Sequence, residues 1–191
     1  MAISKTPPHP LWTRLAHGLD LALLLLMASS GLQIYNANPV FGGREGATMP
    51  DLLLLGGWLA GGRQWHFAFM GVFALNLGLW IALLLWKRRR RLAESADLQA
   101  LRTSRNEAKR RVSAHRLLYT LMLIVLSFGL ITGLAMYKPA SLWWLAGLFG
   151  SWQSLRALHF ATVPAMAALI VSHSVISWRV GGLRLLRRMV A

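Results

Sequence analysis

Four long apolar segments recur along the chain, each bounded by polar, glycine-rich or basic residues. The first runs from about Leu11 to Tyr35, around the core LALLLLMASSGLQIY. The second runs from about Trp65 to Trp86, the third from about His115 to Tyr137, and the fourth from about Gln153 to Trp178. Each is close to the roughly 20 residues that a helix needs to cross a hydrocarbon core of about 30 Å. The pattern predicts an all-α integral membrane protein, a four-transmembrane-helix bundle that forms a single domain over residues 1–191.

The connections read differently from one another. The arm before Leu11 holds Pro7, Pro8 and Pro10, which disfavour regular helix. Residues 36–64 are punctuated by NANP and Gly-Gly pairs. Within them, Asp51 to Ala60 (DLLLLGGWLA) is apolar but too short to span, and suits an interfacial helix or a cover over a cofactor edge. Residues 87–111 (KRRRRLAESADLQALRTSRNEAKRR) are the most basic stretch, and parts of it can be helical. Residues 138–152 (KPASLWWLAGLFGSW) form an aromatic, turn-containing loop, and the tail RVGGLRLLRRMVA is basic and amphipathic.

Composition narrows the chemistry. Hydrophobic residues make up 55% of the chain and charged residues only 14%, as expected of a polytopic membrane protein. Cysteine is absent, which excludes disulfides, thiolate haem ligation, iron–sulfur clusters and covalent haem attachment through CxxCH. The formal net charge is +15, which in a soluble protein would point to nucleic acid. Here the charge is segregated. The 87–111 loop, the tail, Lys5 and Arg14 fall on one side, and the opposite loops carry only Arg44, Arg63, Lys138 and Arg156. The positive-inside rule then puts both termini in the cytoplasm, with the basic segments near anionic lipid heads, and makes nucleic acid an unneeded partner. Many of the tryptophans lie near the ends of apolar runs, as in an interfacial belt. No cleaved leader is expected, because MAISKTPPHPLW lacks a basic region leading directly into an apolar core with a small-residue cleavage site.

The histidines carry the sharpest signal. His159 and His173 share the fourth span, fourteen positions apart. At about 3.6 residues per turn and about 1.5 Å per residue they lie on roughly one face, about 21 Å apart along the axis. With both termini inside, His17 and His173 are shallow on the inner side, and His66 and His159 on the outer side. Alone, each is readily a packed or pore-facing residue. As two depth-matched pairs they suggest axial ligands for two haems stacked across the bilayer. Arg14, Arg63 and Arg156 each precede a histidine of these pairs by three residues. They suit haem propionates, although a basic residue at a helix end can also simply snorkel, above all Arg14. Gly31, Gly71, Gly129 and Gly133 permit either close approach of a porphyrin or ordinary helix packing. His115, at the inner margin of the third span, is placed for an inner propionate or a quinone head group, or is an interfacial polar residue. Pro164 is a point where the fourth helix can kink. Asp20 and Asn76 are conspicuous internal polar residues without an assigned role, and His9 is read as surface.

These residues resemble a family. Histidines in the first and second spans, with two more fourteen apart in the fourth, are similar to the transmembrane di-haem b-type cytochromes. These include cytochrome b561-like proteins, the membrane subunits of formate dehydrogenase and nickel–iron hydrogenase, and thiosulfate-reductase-type cytochrome b subunits. HPLWTRLAHGLD, SSGLQIYNANP, WHFAFMGVFALN, ITGLAMYKP and LRALHF look most like the last group. The resemblance covers nearly the whole chain. It implies two haems b held by His17, His66, His159 and His173, and a multi-pass place in the bacterial inner membrane. It also implies electron exchange between the quinone pool and a periplasmic redox partner, in this subgroup often a molybdopterin oxidoreductase. Relatives often carry a third-span histidine that His115 matches only at the margin, so no ligand role is carried to it. Two other readings remain: a self-contained b561-type oxidoreductase such as a superoxide:quinone oxidase, with Arg63 and Arg156 drawing in an anion, and a haem-free membrane scaffold. Homo-oligomerisation is left open.

Overall fold

The computed structural model of the chain describes residues 10–87 and 91–190. The readings of Pro7, Pro8 and His9 fall outside the described residues, as does the amphipathic reading of the tail, which rests on side chains beyond Arg179. Six α-helices are described: α1 (Leu11–Ala37), α2 (Leu59–Lys87), α3 (Ser95–Thr103), α4 (Glu107–Tyr137), α5 (Trp143–Gly147) and α6 (Trp152–Val190). There is no strand among the described residues. Four helices, α1, α2, α4 and α6, are long and apolar enough to cross a membrane.

Local chemistry sets their ends. Pro10 opens α1, its carbonyl accepting from the backbone N–H groups of Thr13 and Arg14 at 2.9 and 3.3 Å. A proline has no N–H to lose at this position and its φ is already fixed. The helix stops at Ala37 because Asn38 precedes Pro39, which disfavours helical dihedrals at the residue before it. Helix α2 begins earlier than the pattern predicts. Gly56 and Gly57 turn the chain with φ of 114° and 70°, a region that suits glycine. The Gly61–Gly62 pair is not loop punctuation: it lies inside α2, where a Cβ on Gly62 would meet Gln33 of α1 at 2.8 Å. His66 therefore sits about two turns inside the helix rather than at its start. Helix α4 likewise starts at Glu107, behind an Asn106 cap that accepts from Lys109 N at 3.2 Å, so His115 is also internal. Asp51 to Leu53 form only a short 3₁₀ turn. In α6 the helical dihedrals persist through Pro164, and the departure falls at Gly182, with φ 53° and ψ −150°.

The four long helices pair as two hairpins, α1 along α2 and α4 along α6. The hairpins meet through Leu23, Phe73 and Leu77, packed by Leu123, Leu126 and Leu130 of α4. Most other apolar side chains face outward, Leu25 at 60% and Leu75 at 65% exposure. Such a surface needs lipid around it.

At one end, here called the α5 end, residues 38–58 fold back over the bundle. Tyr35 Oη donates to Ala47 O, Asn36 exchanges two hydrogen bonds with Met49, and Gln153 Nε2 donates to Val40 O at 2.6 Å. At the other, the α3 end, a capping box of Glu94 and Asp97 starts α3. Buried Asp97 ties α3 to α4 by accepting from Ser113 Oγ at 2.9 Å and pairing with Arg116 at 3.2 Å. Between the ends, Asn76 Nδ2 donates to Asp20, so the two polar residues inside the first hairpin satisfy each other.

Asp97→Ala is expected to free α3 from α4, since Ser113 and Arg116 lose the acceptor they share. The cost should be about 1–3 kcal/mol, the penalty of unsatisfied buried groups. Hydrogen exchange over residues 92–103 should rise while the spanning helices stay protected.

Candidate functional site

Imidazoles gather at two levels of the bundle. Toward the α5 end, His66 of α2 and His159 of α6 face one another across the two hairpins. Their ring centres are 6.3 Å apart and their planes 86° apart. Each ring is held from behind by the other helix of its own hairpin. His66 Nδ1 lies 3.1 Å from Met27 O and 3.1 Å from Ser30 Oγ of α1. His159 Nδ1 lies 2.9 Å from Thr132 Oγ1 of α4. The Ser30 hydroxyl donates to Leu26 O at 2.6 Å and the Thr132 hydroxyl to Phe128 O at 2.8 Å. These partners set the ring angles and engage Nδ1. For His66, donation from Nδ1 to the Met27 carbonyl leaves Nε2 with the lone pair.

Toward the α3 end, the ring of His173 in α6 lies 4.9 Å from that of His115 in α4, tilted by 39°. His17 of α1 is near enough to interact with His173 electrostatically, with its own side chain exposed. His173 Nδ1 is buried and has no hydrogen-bond partner among the described residues. So the ring packed against His173 is that of His115, whereas His17 is the partner that depth alone pointed to. No group of three or more His, Asp or Glu side chains that could hold a bare metal ion occurs among the described residues.

The arginines sit a turn from their histidines. Arg63 lies over the Phe67 ring, 5.6 Å from its centre. Arg156 donates to Gln153 Oε1 and to the Asn38 carbonyl, which ties α6 to the loop after α1. Arg14 is half-buried in the first turn of α1.

Residues 8–191 match the profile of the prokaryotic cytochrome b561 family. The chain belongs to that family. It is therefore a b561-type membrane electron-transfer protein, and its family implies haem b. Over 176 residues it is 27% identical to the putative protein-methionine-sulfoxide reductase subunit YedZ1 of Azospira oryzae, across 86% of this chain and 87% of that protein. No solved structure matches it.

Sequence reasoning missed the residues behind the rings of this cytochrome. Ser30, Thr132 and the Met27 carbonyl drew no attention, because a hydroxyl in an apolar helix ordinarily bonds its own preceding turn. Of the two jobs weighed for Gly31 and Gly133, close packing against the neighbouring helix is the one the structure shows. A Cβ on Gly31 would stand 3.3 Å from His66 Cε1, and one on Gly133 would stand 3.1 Å from His159 Cε1. They make room for histidine rings. Gly129 approaches Thr162 instead, and Gly71 faces open space. The available signal was the dipeptide itself: Ser-Gly in α1 and Thr-Gly in α4, each at the depth of a histidine on the neighbouring helix.

Thr132→Val removes the hydroxyl from His159 Nδ1 at nearly constant volume. It is expected to weaken haem retention by about 10- to 100-fold, the usual cost of losing a partner behind a metal-binding imidazole. Haem loss to apomyoglobin, followed by absorbance, measures this; an unchanged rate would remove Thr132 from the site.

Proposed function

We propose that this cytochrome carries two haems b, one between His66 and His159 and one between His17 and His173. The observation behind this reading is the His66–His159 pair. An imidazole nitrogen sits about 2 Å from a metal it binds, so two rings on opposite sides of one metal have centres about 6 Å apart. The 6.3 Å separation agrees with that spacing. The buried, unpartnered nitrogen of His173 supports the second site, because a buried polar atom without a partner costs about 1–3 kcal/mol unless a ligand supplies the interaction. Paired imidazoles suit a metal that brings its own equatorial ligands, as haem does.

Haem iron supplies one-electron transfer between its ferric and ferrous states. The chain's own residues do the rest. Met27, Ser30 and Thr132 hold the imidazoles at fixed angles, and the apolar helices exclude water. Arg63 and Arg156, at the α5 end, offer positive charge for propionates. His115, against His173, is placed to touch a propionate or a quinone head group at the α3 end. With the basic loop and both termini in the cytoplasm, the α3 end faces inward and the α5 end faces the periplasm of a bacterial inner membrane.

In this reading electrons pass between the quinone pool and a periplasmic redox protein docked on the aromatic loops of the α5 end. The relative from Azospira oryzae, named as a methionine-sulfoxide reductase subunit, favours a partner that reduces sulfoxides, consistent with a molybdopterin oxidoreductase.

A pyridine haemochrome assay on the detergent-purified protein is expected to give two haems b per chain. His66→Ala and His159→Ala should each remove the same one, and His17→Ala and His173→Ala the other. His115→Ala should keep both. A parent protein without haem would end this reading, and loss of a haem in His115→Ala would make His115 the partner of His173.

A further inference from the structure

The two hairpins are one element built twice. Residues 13–35 (TRLAHGLDLALLLLMASSGLQIY) and 115–137 (HRLLYTLMLIVLSFGLITGLAMY) align without a gap. They share Arg-Leu near the start, recurrent leucines between, and a hydroxyl residue followed by Gly-Leu-x-x-Tyr at the end. RQWHFA of α2 aligns with RALHFA of α6. The structure repeats the correspondence contact by contact. Ser30 and Gly31 back His66 as Thr132 and Gly133 back His159. Tyr35 stacks on Phe160 at 4.4 Å, and its counterpart Tyr137 meets Phe67, the counterpart of Phe160, at 5.1 Å. Both contacts cross from one hairpin to the other. Such reciprocity defines a pseudo-two-fold axis that runs along the bundle between His66 and His159, the arrangement of parallel repeats in a membrane.

The same offsets extend along the long helices to the α3 end. His17 in α1 corresponds to Tyr119 in α4, and His173 in α6 to Trp80 in α2. His17 and His173 belong to the α1–α6 side. On the α2–α4 side Trp80 Nε1 donates to Tyr119 Oη at 2.8 Å. The residues next to this pair in sequence, Ile81 of α2 and Thr120 of α4, line an apolar groove of about 460 Å³ that continues along α4 to Phe128 and Ile131. That volume is in the range of pockets for sizeable ligands.

We propose that the α2–α4 side at the α3 end is the twin of the His17–His173 position, and that Trp80 and Tyr119, bonded to each other where the twin has two imidazoles, keep that side without a haem. The inference rests on His17 and His173 being haem ligands. An indole N–H only donates and has no lone pair for a metal, and its hydrogen bond is spent on the Tyr119 oxygen. The two residues thus stand where the ligands stand and supply no imidazole. The fold offers two equivalent exits from the His66–His159 site, and this pair leaves only one of them wired.

The test restores the ligands. Trp80→His/Tyr119→His, expressed with haem supplied and purified in detergent, is expected to hold one more haem b per chain than the parent by pyridine haemochrome, with the parent bands retained in the reduced-minus-oxidised spectrum. A variant that keeps the parent bands and gains no haem would overturn the proposal. The reciprocal variant, His17→Tyr/His173→Trp, decides the matter if the first does not fold. It should lose one haem and keep the one between His66 and His159, because an indole and a phenol then stand where the two imidazoles stood. Loss of both haems from a monodisperse protein would show that the two sides are not equivalent. A parent lacking haem altogether would instead defeat the ligand reading on which this rests.

Discussion

An imidazole inside hydrocarbon has to be held from behind. Water is absent, so the ring N–H must find an acceptor in the protein, and the ring must point the other nitrogen at whatever it binds. Here the acceptors come from the partner helix of the same hairpin. The Met27 carbonyl and the Ser30 hydroxyl serve His66, and the Thr132 hydroxyl serves His159. For each ring to come this close, the residue after the hydroxyl has to be glycine. Helix packing and ring orientation are then a single requirement. A change that separates α1 from α2 also turns His66.

This explains why the bundle is organised as hairpins rather than as four equal neighbours. Lipid tails are as apolar as leucine, so helices in a membrane gain little from apolar burial alone. They associate through close packing at small residues and through hydrogen bonds. Gly62 against Gln33 and Asp20 with Asn76 fasten α1 to α2, while Gly129 against Thr162 and Gly133 against His159 fasten α4 to α6. Between the hairpins the contacts are chiefly aromatic and apolar. That leaves the imidazoles at the interface free to face one another across it.

The four spans and the depths of the histidines could be read directly from the sequence, because a helix in a membrane has to be apolar along most of its length and any polar residue stands out. Helix starts were harder. Gly61 and Gly62 look like a loop, yet they are helical, since their purpose is close approach and not a turn. Glu107 to Ala114 look like part of a soluble loop, yet they continue α4, because a helix need not stop where the membrane does. The inner cluster was only partly legible. Depth matched His173 with His17, but depth says nothing about azimuth, and the structure adds His115 beside it. Asp20 had no assigned role, and its partner proved to be Asn76, the other polar residue already noticed.

The doubled frame constrains the two ends differently. On the pseudo-two-fold axis, His66 and His159 make one site from both hairpins, so Ser30–Gly31 and Thr132–Gly133 serve the same centre. A change in either dipeptide damages the shared site and cannot be offset by the other copy. Away from the axis the equivalent positions belong to separate sites. There one hairpin's residue can change without cost to its twin, and that is where the two copies differ: imidazoles at His17 and His173, an indole and a phenol at Trp80 and Tyr119. A chain that began with equal halves would keep its equality at the axis and lose it at the periphery.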